Sequence, residues 1–114
     1  MNTVIFSVRS NEDITRDVLR FAEGDADAKP RISFDTHERM VSLLSGKRWE
    51  ILRVMSGAGP LSIREIARRV GRDIKAVHGD VTALAASGVI DRAGARVVFP
   101  YDRIHVDYVL DATA

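Results

Sequence analysis

Apolar residues recur at helical spacing in two runs between residues 62 and 86, with turn chemistry between them. Ile63, Ile66, Ala67 and Val70 form one stripe, and Ile74, Val77, Val81 and Leu84 form the next. Ser62 stands where a hydroxyl caps the first helix, and Glu65, three residues on, is placed to reach back in a reciprocal capping box. Gly71 offers permissive backbone at the exit of that helix, Asp73 is placed to cap the second, and Gly88 ends it. On this pattern the second helix buries Ile74, Val77, Val81 and Leu84 and turns Lys75, His78, Gly79, Thr82 and Ala86 outward.

The flanking sequence predicts an α+β protein around this pair. Thr3 to Val8 alternates, with Val4, Phe6 and Val8 on one face of a strand, and Asn11 or Asp13 opens a helix with Ile14, Val18, Phe21 and Ala22 inside. Gly24 to Pro30 breaks that helix, and Ile32-Ser33-Phe34 reads as a second strand. Asp35, spaced from Glu38 as in a capping box, starts a short helix with Met40, Val41, Leu43 and Leu44 buried. Ser45 caps the next helix, Gly46 to Ser56, where Trp49, Leu52 and Met55 share a face. Gly57-Ala58-Gly59-Pro60 is a dense turn signal. After Gly88, Val89-Ile90 and Arg96 to Phe99 read as a hairpin about Ala93-Gly94-Ala95, and Ile104, Val106, Tyr108 and Leu110 alternate as a last strand. The order helix, helix, turn, helix, hairpin is that of a winged helix-turn-helix. It divides the chain into a strand-helix-strand extension over residues 1–34 and a winged unit over 35–110.

Composition bounds the chemistry. A chain of 114 residues buries one core. Without cysteine it has neither disulfides nor thiolate metal sites, and His37, His78 and His105 are too scattered for a ligand cluster. No run approaches the ~18 apolar residues of a membrane span and no leader pattern opens the chain, so a cytoplasmic protein is expected. The net charge of +1 is uneven. Residues 1–30 carry four basic and six acidic side chains, residues 31–61 five and three, and residues 62–91 five and four. A basic middle beside an acidic extension suits a nucleic-acid module. Nothing matches Gly-x-Ser-x-Gly or a complete phosphate loop, and no acidic pair stands out, so neither catalysis nor a cofactor is expected.

The run Ser62 to Asp73, then Val77-His78-x-Asp80-Val81 with Leu84 and Gly88, then Phe99-Pro100-Tyr101-Asp102, resembles the winged helix-turn-helix regulators of bacteria and archaea related to the MarR and ArsR groups. Lys47 to Leu52 fits the same pattern upstream, and the likeness spans roughly residues 34 to 108. It implies a transcriptional regulator, a repressor by operator occupancy. Some bacterial members look like antitoxins encoded beside a TumE-type toxin, which implies a toxin protein as a further partner; a winged protein-interaction module is the other alternative. The chain departs from the pattern at Gly79, where relatives often carry a bulky polar or basic residue. Glycine there costs up to ~1 kcal/mol of helix stability and offers no side chain to a base, while it lets backbone approach DNA closely.

Double-stranded DNA is therefore the expected partner. Lys75, His78 and Thr82 are the candidates for the major groove, and Arg64, Arg68, Arg69 and Arg72 for phosphates, with Arg72 foremost because it directly precedes the second helix. Arg92 and Arg96 flank the hairpin tip, where one enters a minor groove or meets phosphate. Asp80 carries the wrong sign for DNA and is expected to pair with Arg48 or Arg69. A homodimer is expected because one helix reads only a half-site, and the strand Val4 to Val8 with its following helix is the first candidate interface.

Overall fold

The computed structural model describes residues 2–8, 19 and 30–108. The expected helix carrying Ile14, Val18, Phe21 and Ala22 lies outside the described residues, as does Leu110. The described elements run β1 (Thr3–Val8), β2 (Arg31–Phe34), α1 (His37–Leu43), α2 (Gly46–Met55), α3 (Ile63–Val70), α4 (Ile74–Ala86), β3 (Asp91–Ala93), β4 (Arg96–Val98) and β5 (Arg103–Asp107). This is a mixed α+β domain with a small sheet. Among the described residues, no helix is long and apolar enough to cross a membrane.

The caps settle where helices begin. Thr36, not Asp35, caps α1, its hydroxyl accepting from the Arg39 amide at 3.1 Å. Asp35 instead lies beside the Arg39 guanidinium at 3.4 Å. Ser45 occupies the cap position of α2 without a side-chain hydrogen bond. Ser62 accepts from the Glu65 amide at 3.1 Å, and Asp73 from the Lys75 amide at 3.1 Å. Gly71 takes φ 69°, a left-handed conformation that a side chain would strain, and turns the chain from α3 into α4 within three residues.

β1 is central, which alters its expected role. It pairs in parallel with β2 on one side and with β5 on the other, in the order β2-β1-β5. Parallel strands need crossover connections, and residues 35–102, the whole helical unit and hairpin, carry the chain from β2 past β1 to β5 on its far side. β1 therefore has no free edge to offer a second subunit. Its alternation also fails to expose a face: Ile5 and Ser7 are buried along with Val4 and Phe6, as suits a strand covered on both sides.

One core crosses the residue 34/35 boundary. Val4, Phe6 and Phe34 belong to the same buried cluster as Ile51, Leu52, Met55, Ile66, Val77, Val81, Leu84 and Phe99. Phe6 is its hinge point, with ring centroids 6.0 Å from Trp49, 6.2 Å from Phe34 and 6.4 Å from Phe99. The two segments thus share both their sheet and their core. Two expected core positions lie at the surface: Val41 is 55% exposed and Ile74 is 43% exposed. Ile74 opens the first turn of α4, whereas Val77, Val81 and Leu84 further along the same stripe are fully buried.

Candidate nucleic-acid interface

The α3–α4 unit gathers most of the expected contact residues on exposed faces. From α4, Lys75, His78, Gly79 and Thr82 are all exposed, at spacings of three, one and three residues that keep them on one side of the helix. They occupy its first three turns, ahead of the buried Leu84. Gly79 has open space where a side chain would begin, with nothing within 4 Å of an added Cβ. From α3, Arg64 and Arg68 are exposed and one turn apart. Arg69 is partly engaged, its guanidinium 3.9 Å from the Glu65 carboxylate rather than from Asp80.

Arg72, the foremost candidate for phosphate, points inward. Its Nη2 lies 2.8 Å from Oδ2 of Asp80, with 19% of its side chain exposed. Arg48 reaches the same carboxylate from α2, donating from Nε to Oδ1 at 3.1 Å, and its Nη1 donates to the Leu43 carbonyl at 2.9 Å. Asp80 is thus bidentate between two guanidiniums from different elements, and only 17% of its side chain is exposed. Burial pushes its carboxyl pKa up, but hydrogen bonds from Arg72 and Arg48, with the attraction of their charges, outweigh that and hold it below its ordinary value. Chemically this is a clamp: it ties the end of α1, the first turn of α2 and the turn before α4 to one residue on the inner side of α4. Asp80 follows Gly79 directly, so the clamp adjoins the outward face of His78, Gly79 and Thr82, while burial of Val77, Val81 and Leu84 fixes which side of α4 faces the core.

The hairpin stands beyond the other end of α4. Asp91 pairs with Val98, Arg92 with Val97 and Ala93 with Arg96, leaving Gly94-Ala95 as a two-residue loop. Gly94 has φ 64° and, among the described residues, no non-glycine residue has positive φ, the distribution a type II′ turn requires. Leu61 extends the ladder, exchanging hydrogen bonds with Val97 at 2.8 and 2.9 Å, which fastens the hairpin to the segment entering α3. Val97 and Phe99 point into the core, while Arg92 and Arg96 are exposed on the ribbon.

The three histidines are dispersed: His37 stacks on Tyr108 with ring centroids 4.1 Å apart, His78 lies on α4 and His105 on β5. Among the described residues, no cluster of three His, Asp or Glu could hold a metal ion. Sequence reasoning missed the Arg72–Asp80 pair. The eight-residue separation crosses the turn, so no helical spacing signalled it.

No curated protein and no solved structure matches the chain. The profile of one family, HVO_A0114, matches residues 43–106, from the last residue of α1 into β5 and so including the clamp, α3, α4 and the hairpin. As that is more than half of its length, the chain belongs to the HVO_A0114 family.

Proposed function

We propose that this protein is a sequence-specific DNA-binding transcriptional regulator of the winged helix-turn-helix type, acting as a repressor by occupying its operator. The observation that carries this reading is the exposed polar face of α4, Lys75, His78, Gly79 and Thr82, set on a capped two-helix unit and followed by a hairpin bearing exposed Arg92 and Arg96. Short polar side chains in the first turns of such a helix suit base edges in the major groove, where a helix fits. Arg64 and Arg68 on α3 and Arg92 and Arg96 on the ribbon, exposed and in no ion pair among the described residues, supply cations for phosphates. Arg72 stands behind the outward face of α4, paired with Asp80. Gly79 lets the helix backbone lie close to the groove floor or wall without a side chain intervening.

Mobility-shift titrations against the promoter of its own gene, repeated across salt concentrations, test the reading. Affinity should fall with a log-log slope of about −0.9 for each phosphate contact. Arg64→Ala and Arg68→Ala should each lower the slope by about one contact on specific and random duplexes alike. Absence of binding to any duplex at low salt would overturn the assignment.

A further inference from the structure

The sheet ends in an edge whose sequence complements itself. β5 pairs with β1 on its inner side, and among the described residues no strand lies on its outer side. Exposed edges are usually blunted by proline, by charged side chains (lysine above all) or by a bulge. The run Arg103-Ile104-His105-Val106-Asp107 has no proline, lysine or bulge, its two charges are of opposite sign and sit at its two ends, and it leaves Val106 43% exposed at the rim of the core face. Arg103 donates its amide to the Asn2 carbonyl at 3.2 Å. In an extended strand Arg103, His105 and Asp107 therefore turn their backbone groups to β1, and Ile104 and Val106 present theirs outward.

From this we infer that two copies of the chain associate by antiparallel pairing of their β5 strands about a two-fold axis at His105, joining two three-stranded sheets into one of six. In this register Ile104 of one copy faces Val106 of the other as a hydrogen-bonded pair, so every outward N–H and C=O of the two residues is used. His105 faces its own counterpart, and Arg103 faces the second copy's Asp107, once on each side of the axis. The last two are non-hydrogen-bonded pairs, the class that brings side chains closest. Sliding the strands by two residues either way keeps the hydrogen-bonding parity but sets Arg103 opposite His105, or His105 opposite Asp107, in place of the two full ion pairs. Charge thus selects both the partner and the register. The Arg31 guanidinium approaches Asp107 within the chain at 3.9 Å and leaves it 53% exposed, so the carboxylate keeps room for the second copy's Arg103.

The association is independent of the DNA reading, because it is measured on full-length protein without nucleic acid. Sedimentation velocity should give a dimer at micromolar concentration. The chain has no cysteine, so a single introduced thiol reports the register. His105→Cys should cross-link to a disulfide dimer under a glutathione redox buffer, since its counterpart sits across a pair about 4.5 Å wide between Cα atoms. Arg103→Cys should not, because four residues of stagger put the two thiols about 14 Å apart along the strands. Val106→Pro removes only an outward-facing amide and should yield a folded monomer by circular dichroism. Should that variant unfold, Asp107→Arg reads the same edge: it should weaken self-association about tenfold or more, and adding Arg103→Asp should restore it. A wild-type monomer, equal cross-linking at positions 103 and 105, or a folded Val106→Pro dimer would each overturn the inference.

Discussion

Arginines gathered around one turn meet opposite fates. Arg48 and Arg72 converge on Asp80, each about four-fifths buried, and their charge is spent inside the protein. Arg64 and Arg68, on the helix just before the same turn, stand exposed with no carboxylate drawn to them among the described ion pairs. The physical difference is desolvation. A guanidinium taken out of water must be matched by charge and hydrogen bonds, and once matched it is costly to unmatch, whereas one left in water adds little to stability and stays available to a phosphate. A count of basic residues around a turn therefore overstates its capacity for anions, and the pairing partner of each cation decides which ones remain.

The largest effect should come from breaking the closed side. Asp80→Ala leaves two mostly buried guanidiniums without a counter-charge and should cost about 3 kcal/mol or more of unfolding free energy in urea. The same carboxylate makes stability pH-dependent. Its folded pKa is depressed, so its contribution is fully present above the ordinary carboxylate value and is lost as the pH falls through the lower folded value. Asp80→Asn should remove that component of the acid transition, seen as a flatter dependence of the urea midpoint on pH than in the unaltered protein.

On the open side, under the proposed DNA reading, the effects move from stability to recognition. His78→Ala or Thr82→Ala should reduce preference for the operator over random duplex by about 1 to 3 kcal/mol while leaving the urea midpoint nearly unchanged. Equal loss on both DNAs would reassign that residue from base reading to positioning. Gly79→Ala should raise stability by up to ~1 kcal/mol, since the site is an exposed helix interior with space for a methyl group. Lower operator affinity in that more stable variant would establish that the missing side chain serves the interface. The smallest effect belongs to Arg69→Ala, whose partner Glu65 is 3.9 Å away on a solvated helix face, and whose change in stability should stay within about 0.5 kcal/mol.

The helical unit was largely legible before its structure, and the sheet was not. Caps are local chemistry: a hydroxyl or carboxylate, two or three residues before the amide it accepts from, is readable at Ser62 and Asp73 because nothing distant competes for it. At Asp35 the same rule misled by one residue, since a neighbouring threonine offered an equivalent oxygen and Asp35 sits by the Arg39 guanidinium instead. β1 looked like a one-sided strand because alternation is read along a single segment. Its buried second face and its pairing with a strand a hundred residues away carry no local signal. The hairpin lay between these cases, its glycine legible and its attachment through Leu61 not.

By itself the amino-acid order determined the parts whose causes lie within a few residues: α3 and α4, the left-handed exit at Gly71, the outward face from Lys75 to Thr82 and the hairpin turn at Gly94. Only the tertiary structure decided that Arg72 belongs to Asp80, that β1 lies between β2 and β5, and that Ile104 to Val106 form the remaining edge beside it. Capping and helical periodicity act over one or two turns, so sequence spacing encodes them. Ion pairing and strand pairing depend on which distant segments close on one another around Phe6 and its ring neighbours, and that follows from packing the whole core at once.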